Sequence, residues 1–443
     1  MSPLAHGVGS VQDLPVPQWL FLYGAGIVLI VSFAALALLW RRPVLESWEG
    51  GKALPEGLSR FVLSRGVRIA LGALGFALFV LTFATALVGE RSAGSNFAPT
   101  FIYVAFWLGL VPVVVLFGNV WSALSPWKAG ADAAEWFVAR LGGQSEPYEY
   151  PERLGRWPAA VGLFLFAAME LAYFDPSDPR ALALAIVIYS LLTWIGALVY
   201  GSEAWFARGD GFSNYFGFLS RIAPLAVEGG RVILRPPFVG LAHLRDPGPG
   251  SVAFVAVMLG SVAFDGFSRT AVWQDQTISL GDGSGTLARV GGLLGAVLAV
   301  AAAYLLAVWS AKLLARTDLD LASAFVGSLV PIALVYAVSH YFTLLVVESQ
   351  FLLTLASDPF GYGWDLFGTL DYRPNLAPFT PNTVWYVQVG TLVAGHVAGL
   401  CLAHDRALAL FPGESRRALR TQYPFLVLMV AYTVGGLWLL SLD

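Results

Sequence analysis

Apolar residues occur along the chain in runs of about 20, which is long enough for an α-helix to cross the hydrocarbon layer of a membrane. Short polar segments separate the runs. The pattern predicts an all-α, polytopic helical bundle of about ten transmembrane helices, forming a single membrane domain over residues 1–443. The predicted spans are 18–40, 67–89, 100–120, 157–174, 181–201, 250–267, 289–311, 322–347, 384–404 and 423–441.

Lys and Arg residues are distributed unequally between the loops on the two sides of this predicted bundle. One side holds 21 of them and the other holds 5. Because cytoplasmic loops retain Lys and Arg, both termini are predicted to lie outside the cytoplasm. The five basic segments are 41–68, 124–157, 202–249, 312–321 and 404–422.

Two cytoplasmic regions, near 124–156 and 202–249, mix aromatic and charged residues at helical spacing. The parts at 128–141 and 214–235 are predicted to lie along the membrane surface rather than to cross it.

The amino-acid composition is that of a membrane protein and excludes several other classes of protein. The chain is 57% hydrophobic and 12% charged, with a mean hydropathy of +0.69, whereas about one quarter of a soluble chain is charged. The net charge of −3 excludes a nucleic-acid partner. The single cysteine, Cys401, excludes an internal disulfide and Cys-based metal sites. We expect no haem, nucleotide or iron–sulfur cofactor.

Acidic residues prevail on the predicted outer face, where 13 Asp and Glu stand against 5 Arg and leave a charge of −8. Such a surface concentrates cations. Equally, acids could simply fill loops from which topology excludes Lys and Arg. The sequence leaves both interpretations open.

Several polar residues fall near the outer ends of different predicted spans: Glu170, Asp265, His340, Glu348 and Gln388. Ionisable groups in hydrocarbon face the bundle interior or a wet cavity by default. Carboxylate and imidazole at one depth suit a metal site or a proton relay. The alternative is that each residue has its own hydrogen-bond partner.

Two further histidines lie in the ninth span. His396 is near its middle, at a depth that differs from that of His340 by roughly 9 Å, which argues against one haem iron bound by both residues. His404 precedes Asp405 and Arg406 near the inner boundary, which predicts an interfacial polar network.

The extracytoplasmic loop 348–383 is rich in Pro, Gly and aromatic residues. A loop of this length is often a lid or a binding loop, for which Asp358, Trp364 and Asp365 are candidate side chains. The alternative is a structural cap over the bundle.

Several segments resemble those of actinobacterial multi-pass proteins known as fenitrothion hydrolases, and the resemblance covers almost the whole chain. It implies an enzyme of the bacterial plasma membrane that splits a lipophilic organophosphate ester, but it supplies no catalytic residues. The segments are AHGVGSVQDLPVPQWLFLYGAG, YPERLGRWPAAVGLF, GDGFSNYFGFLSRIAP, FDGFSRT, SHYFTLLVVESQ, SDPFGYGWDLFGT and WYVQVGTLVAGHVAGLCLAHDRALALF.

Relatives in this family often carry a longer leader that ends just before the corresponding histidine, here His6. Cleavage after Ala5 would give His6 a free amine beside its imidazole, a chelate that suits copper.

The first functional hypothesis is a metal-assisted hydrolase. A divalent metal or copper ion would activate water near the outer interface. Tyr341 and Asp365 would assist, and no HExxH or GxSxG signature is present. The predicted ligands are His340, Asp265, Glu170, Asp358 and His6.

The second hypothesis is a transporter or permease for a small solute or metal cation. Glu170, Asp265 and His340 would form the outer entrance and His396 the midpoint, and the inner exit would be formed by His404, Glu203 and Asp210. The third is a non-catalytic subunit of a membrane complex. All three have the lipid bilayer as partner and admit a small lipophilic or cationic ligand and a homo- or hetero-oligomer.

Overall fold

Helices dominate the structure, a computed structural model that describes residues 18–142, 146–245 and 247–440. Three short 3₁₀ segments and one π-helical segment, Phe101–Leu108, interrupt or join them. The α-helices are α1 (Gln18–Leu39), α2 (Glu56–Val62), α3 (Arg65–Val88), α4 (Phe97–Thr100), α5 (Leu110–Phe117), α6 (Trp121–Leu124), α7 (Pro126–Arg140), α8 (Trp157–Leu171), α9 (Pro179–Tyr200), α10 (Ser202–Arg208), α11 (Gly211–Ser220), α12 (Val239–Ala242), α13 (Ser251–Ser268), α14 (Ala271–Thr277), α15 (Asp282–Ala315), α16 (Leu321–Phe325), α17 (Val330–Glu348), α18 (Phe351–Ser357), α19 (Pro381–Leu410) and α20 (Ser415–Leu440).

Within the described ranges, eight helical stretches are long and apolar enough to cross a membrane. The chain is therefore an α-helical membrane protein. The first and last of the ten predicted spans fall on α1 and α20, outside these eight, so the number of spans and the side of the termini stay predictions. The eight stretches are Glu56–Val88, Phe97–Phe117, Glu152–Leu171, Pro179–Tyr200, Ser251–Ser268, Asp282–Ala315, Leu321–Glu348 and Pro381–Leu410.

The bundle has two chemically different ends. We call the end with Arg41, Arg42 and Arg406 the basic end, and the end with Glu170 and Asp265 the acidic end. Helices α8, α13 and α17 run from the basic to the acidic end, so their last residues meet there.

Helices α13 and α17 occupy the centre of the bundle. In the most apolar windows of the stretches Ser251–Ser268 and Leu321–Glu348, 67% of the residues are buried, against 22% in Glu56–Val88 and Asp282–Ala315. Apolar side chains that face lipid instead of protein account for the low burial of the peripheral helices.

Helices α17 and α19 approach each other closely at two glycines. A Cβ atom added at Gly395 would lie 2.3 Å from the Val335 side chain, and one at Gly399 would lie 2.7 Å from the backbone oxygen of Ser328. Small residues four apart let membrane helices pack backbone to backbone. The Gly-x-x-x-Gly spacing thus sets this contact.

A small antiparallel sheet at the basic end joins two distant parts of the chain. Its strands are β1 (Lys52–Ala53), β2 (Leu225–Glu228) and β3 (Arg231–Leu234), in the order β1-β3-β2. Glu228 pairs with Arg231 across the hairpin, whose turn residues Gly229 and Gly230 both have positive φ. Two successive positive φ angles suit a tight hairpin and favour glycine.

The region 214–235 differs from its predicted position along the membrane surface. Its first part lies in α11, in which Tyr215, Phe216, Phe218 and Leu219 are all buried in the core, and its last part forms the hairpin. Large apolar side chains on all sides of a helix favour full burial over an interface. In contrast, 128–141 falls largely on α7, which exposes Trp136 and Phe137.

Candidate functional site

Three side chains converge on the carboxylate of Asp265, near the end of α13. His340 Nε2 lies 2.8 Å from Asp265 Oδ2, and the Tyr341 hydroxyl donates to the same oxygen over 2.8 Å. The Arg269 guanidinium donates to Asp265 Oδ1 over 3.1 Å. The packing of α17 on α13 brings residues 75 and 76 positions apart into direct contact.

This cluster is enclosed within the acidic end of the bundle. The exposed fractions are 6% for Asp265, 8% for His340 and 5% for Tyr341. A buried carboxylate is tolerated when donors and opposite charge surround it. Arg269, one helical turn after Asp265, supplies that charge.

A second carboxylate, that of Glu170, lies nearby in a different environment. Glu170 is the penultimate residue of α8, and α8 packs on α13. The charge of the Glu170 carboxylate interacts with that of Asp265. In the described ranges, no hydrogen bond or ion pair joins the Glu170 side chain to another residue. Its side chain is partly accessible. The site therefore contains one fully engaged carboxylate and one available carboxylate.

A large apolar cavity lies on the other side of α8. Its volume of about 840 Å³ is within the range of roughly 300–1,000 Å³ that is typical of small-molecule pockets. Its rim consists of Val161 and Leu165 on α8 and Ile188 and Leu192 on α9, each about half exposed. The cavity therefore opens sideways, between two helices of the membrane-crossing set.

The opening exists because α8 and α9, although consecutive, pack on different partners. Helix α8 packs mainly on α13 and α11, whereas α9 packs mainly on α3, α7 and α10. The cavity wall includes Tyr103 and Met169, and Met169 directly precedes Glu170. The cavity thus reaches the helix end that carries the available carboxylate.

Aromatic rings form much of the cavity wall around Phe212 of α11. Its ring centroid lies 4.8 Å from that of Phe106, 5.1 Å from that of Phe166 and 4.9 Å from that of Tyr189. Asp210 caps α11, accepting hydrogen bonds from Ser213 N over 2.8 Å and from the Tyr189 hydroxyl over 2.5 Å. The cap holds α11 within the bundle.

The loop candidates Asp358 and Asp365 make local backbone contacts instead of joining the cluster. Asp358 accepts from the backbone nitrogens of Tyr362 and Gly363 over 2.9 and 2.6 Å, and Asp365 accepts from that of Leu370 over 3.1 Å. These bonds stabilise turns. The candidate Trp364 is 43% exposed and packs against Phe360 and Tyr362.

The loop also pairs with the segment after α3. The backbone nitrogens of Glu90 and Phe97 donate to the backbone oxygens of Phe360 and Pro359 over 2.8 and 3.1 Å. Of the two interpretations of this loop, a binding loop or a structural cap, these contacts favour the structural cap.

The residues predicted as a transport pathway occupy separate environments. His396 is fully buried with Nδ1 2.8 Å from Leu392 O, and its Nε2 atom has no partner within the described residues. Glu203 lies exposed on the first turn of α10, and Asp210 caps α11. His404 belongs to a network at the basic end.

Two other residues predicted at the outer depth, Gln388 and Glu348, do not contact the carboxylate of Asp265. The Gln388 amide nitrogen donates to Ser339 O over 2.8 Å, and the Ser339 hydroxyl donates back to Gln388 O over 3.0 Å. Glu348 is the partly accessible last residue of α17.

The network at the basic end centres on Asp405. Its carboxylate accepts from the Trp40 indole over 3.0 Å, from Val44 N over 2.5 Å and from Glu46 N over 2.7 Å. His404 lies 2.8 Å from both Gln422 Oε1 and Trp40 O. The sequence predicts a network of His404 with Asp405 and Arg406, whereas its own hydrogen-bond partners lie on α20 and on the segment after α1.

A buried ion pair extends this network. Arg406 pairs with Glu46 and also donates to Leu244 O over 2.7 Å. Burial raises the pKa of the Glu46 carboxyl above its usual range, against the opposing effect of Arg406 and Arg245. The segment after α1 is therefore attached to the end of α19 by several charged hydrogen bonds.

Among the described residues, two of the predicted metal ligands, Asp265 and His340, are in contact and Glu170 lies nearby, but Asp358 lies apart on its loop. No group of three or more His, Cys, Asp or Glu side chains in the described part of the chain is placed to hold a metal ion. Asp265 is engaged with Arg269, and both oxygens of Asp358 accept backbone hydrogen bonds. His6 lies outside the described residues. The donor set shown does not fit a metal ion, and we derive no step through one.

We therefore expect the Asp265 cluster to bind no metal ion. Metal content is measured by mass spectrometry on detergent-purified wild type beside His340→Ala, after loosely bound ions have been removed. We expect no bound ion that depends on His340. About one copper or zinc ion per chain, lost in the variant, would contradict this and restore the metal-assisted hydrolase.

Comparison with protein-family models, with curated proteins and with solved structures finds no match to the chain. The resemblance to fenitrothion hydrolases therefore stays a prediction from the sequence segments that carry it.

Proposed function

We propose that the protein hydrolyses a neutral, lipophilic ester of the organophosphate type at the acidic end of the bundle. The observation that carries the proposal is the pair of neighbouring carboxylates in different environments. Asp265 is bound by three side chains, whereas Glu170 has no such partner among the described residues. Acid–base sites often contain two carboxylates whose different environments give them different roles in proton transfer.

In this proposal Glu170 is the general base. It accepts a proton from a water molecule as the water oxygen forms a bond to phosphorus. The bond from phosphorus to the leaving oxygen breaks, and its electron pair departs with that oxygen. The leaving group is then protonated from solvent.

Asp265 is a positioning residue because it holds Arg269, His340 and Tyr341 together. Arg269 is the permanent cation of the cluster and can stabilise negative charge on the phosphoryl oxygen.

The apolar cavity gives the substrate class. A neutral triester partitions into the bilayer, and the opening between α8 and α9 faces that phase. Aromatic walls suit an aryl leaving group. Met169 lines the cavity and Glu170 follows it at the end of α8, so in this proposal the lipophilic body occupies the cavity and the ester group reaches around the end of α8 to the base.

The test uses diethyl 4-nitrophenyl phosphate and the full chain in proteoliposomes, with released 4-nitrophenolate measured by absorbance. We expect Glu170→Gln to lower kcat by about 10²-fold or more, the usual contribution of a general base. The matched control is Asp275→Asn, an exposed acid on α14 at the same end, which should retain wild-type turnover.

Thermal unfolding in detergent separates chemistry from folding. Glu170→Gln should unfold at the wild-type temperature because Glu170 has no hydrogen-bonded partner to lose within the described residues. Equal turnover by wild type and Glu170→Gln, or turnover by neither, would overturn the proposal.

A further inference from the structure

A groove runs along the outside of the bundle at the basic end, between α1 and α19. Its volume is about 640 Å³. Leu36 and Leu39 of α1 line one side, and Val397 and Cys401 of α19 line the other. The groove therefore lies along apolar helices at the depth of the bilayer.

The mouth of this groove carries two arginines. Arg41 and Arg42 follow α1 directly and are both exposed. The Arg41 Nε atom donates to Leu38 O over 3.1 Å, which turns the side chain back towards the helix end. Within the described ranges, neither guanidinium forms an ion pair with an acid.

We propose that the groove binds one anionic phospholipid from the leaflet at the basic end. An acyl chain lies between Leu36 and Val397, and the phosphate accepts hydrogen bonds from Arg41 and Arg42. Guanidinium forks match phosphate oxygens, and basic pockets between membrane helices bind anionic headgroups. The apolar length of the groove selects a lipid over a free phosphate ion.

The site is continuous with the network around Asp405. Trp40 and Val44 line the groove and also donate their indole and backbone N–H groups to Asp405. A bound lipid therefore contacts the same segment that the network holds against α19. Its binding does not depend on the hydrolytic activity at the other end.

Cys401 provides a probe inside the groove. It is the single cysteine of the chain and is partly accessible. The full chain is placed in nanodiscs of phosphatidylcholine alone or of an equimolar mixture with phosphatidylglycerol. The rate of labelling by N-ethylmaleimide is then followed by intact-mass spectrometry. We expect phosphatidylglycerol to slow labelling about tenfold when it exceeds its Kd tenfold.

The variants test the headgroup contact. Arg41→Gln/Arg42→Gln should abolish the protection by phosphatidylglycerol. The matched control is Arg65→Gln/Arg68→Gln, which removes the same charge from exposed positions at the start of α3. This control should keep the protection.

Three results would overturn the proposal. The wild type could label at one rate in both lipids, a result that does not depend on how any variant folds. The two double variants could behave alike. Glycerol phosphate alone could protect Cys401, which would indicate a phosphate site without a lipid tail.

Discussion

Asp265→Ala should lower the free energy of unfolding by about 3–5 kcal/mol, the usual cost of removing one partner from a buried ion pair. The substitution takes the shared acceptor from His340 and Tyr341 and the carboxylate from Arg269, all buried or partly buried within the acidic end of the bundle. Thermal unfolding in detergent, followed by circular dichroism, measures the loss.

The control for this prediction is Asp275→Ala. Asp275 is an exposed acid at the same end, so its loss should change stability by less than about 0.5 kcal/mol. Similar unfolding of the two variants would show that the Asp265 contacts contribute little.

Comparison of Asp265→Ala with Glu170→Gln separates the proposed roles of the two acids. The first should destabilise the protein and reduce turnover together, because Asp265 positions its neighbours. The second should reduce turnover alone. If Glu170→Gln destabilised the protein as much as Asp265→Ala, its assignment as an available base would be wrong.

The second large effect is expected at the basic end. Asp405→Ala should cost about 3 kcal/mol, because the Trp40 indole and the backbone nitrogens of Val44 and Glu46 lose a charged acceptor. Residues 40–46 should then separate from α19. Faster amide hydrogen exchange in this segment, together with a lower unfolding temperature, checks the prediction.

A matched acid at the same end controls for charge. Glu414 is exposed and pairs with Arg417 over 3.3 Å, so Glu414→Ala should have little effect. Unchanged exchange at residues 40–46 in Asp405→Ala would show that other contacts hold the segment.

The acidic cluster illustrates how far sequence reasoning reaches. Depth along predicted spans placed Glu170, Asp265 and His340 at one level, and the structure brings Asp265 and His340 into contact with Glu170 nearby. Depth along the chain does not show that Asp358 and Asp365, which are also predicted to be functional residues, lie outside this cluster. Their carboxylates bind backbone N–H groups of their own loop, a choice that depends on turn conformation.

Other features depend on contacts between distant segments. The Trp40–Asp405 hydrogen bond joins residues 365 positions apart. The burial of α11 contradicts the surface position predicted for 214–235, since apolar spacing alone does not show how many neighbours a short aromatic helix will have.

An α-helical membrane protein with a basic and an acidic end can be predicted from the amino-acid sequence alone, because hydrophobic length and the distribution of charge are local properties. Which polar groups meet, and where cavities form, depends instead on how the helices pack in three dimensions. Rotation of each helix about its axis and its choice of partner set those features. The separation of α8 from α9, consecutive in sequence but packed on different helices, is the clearest case.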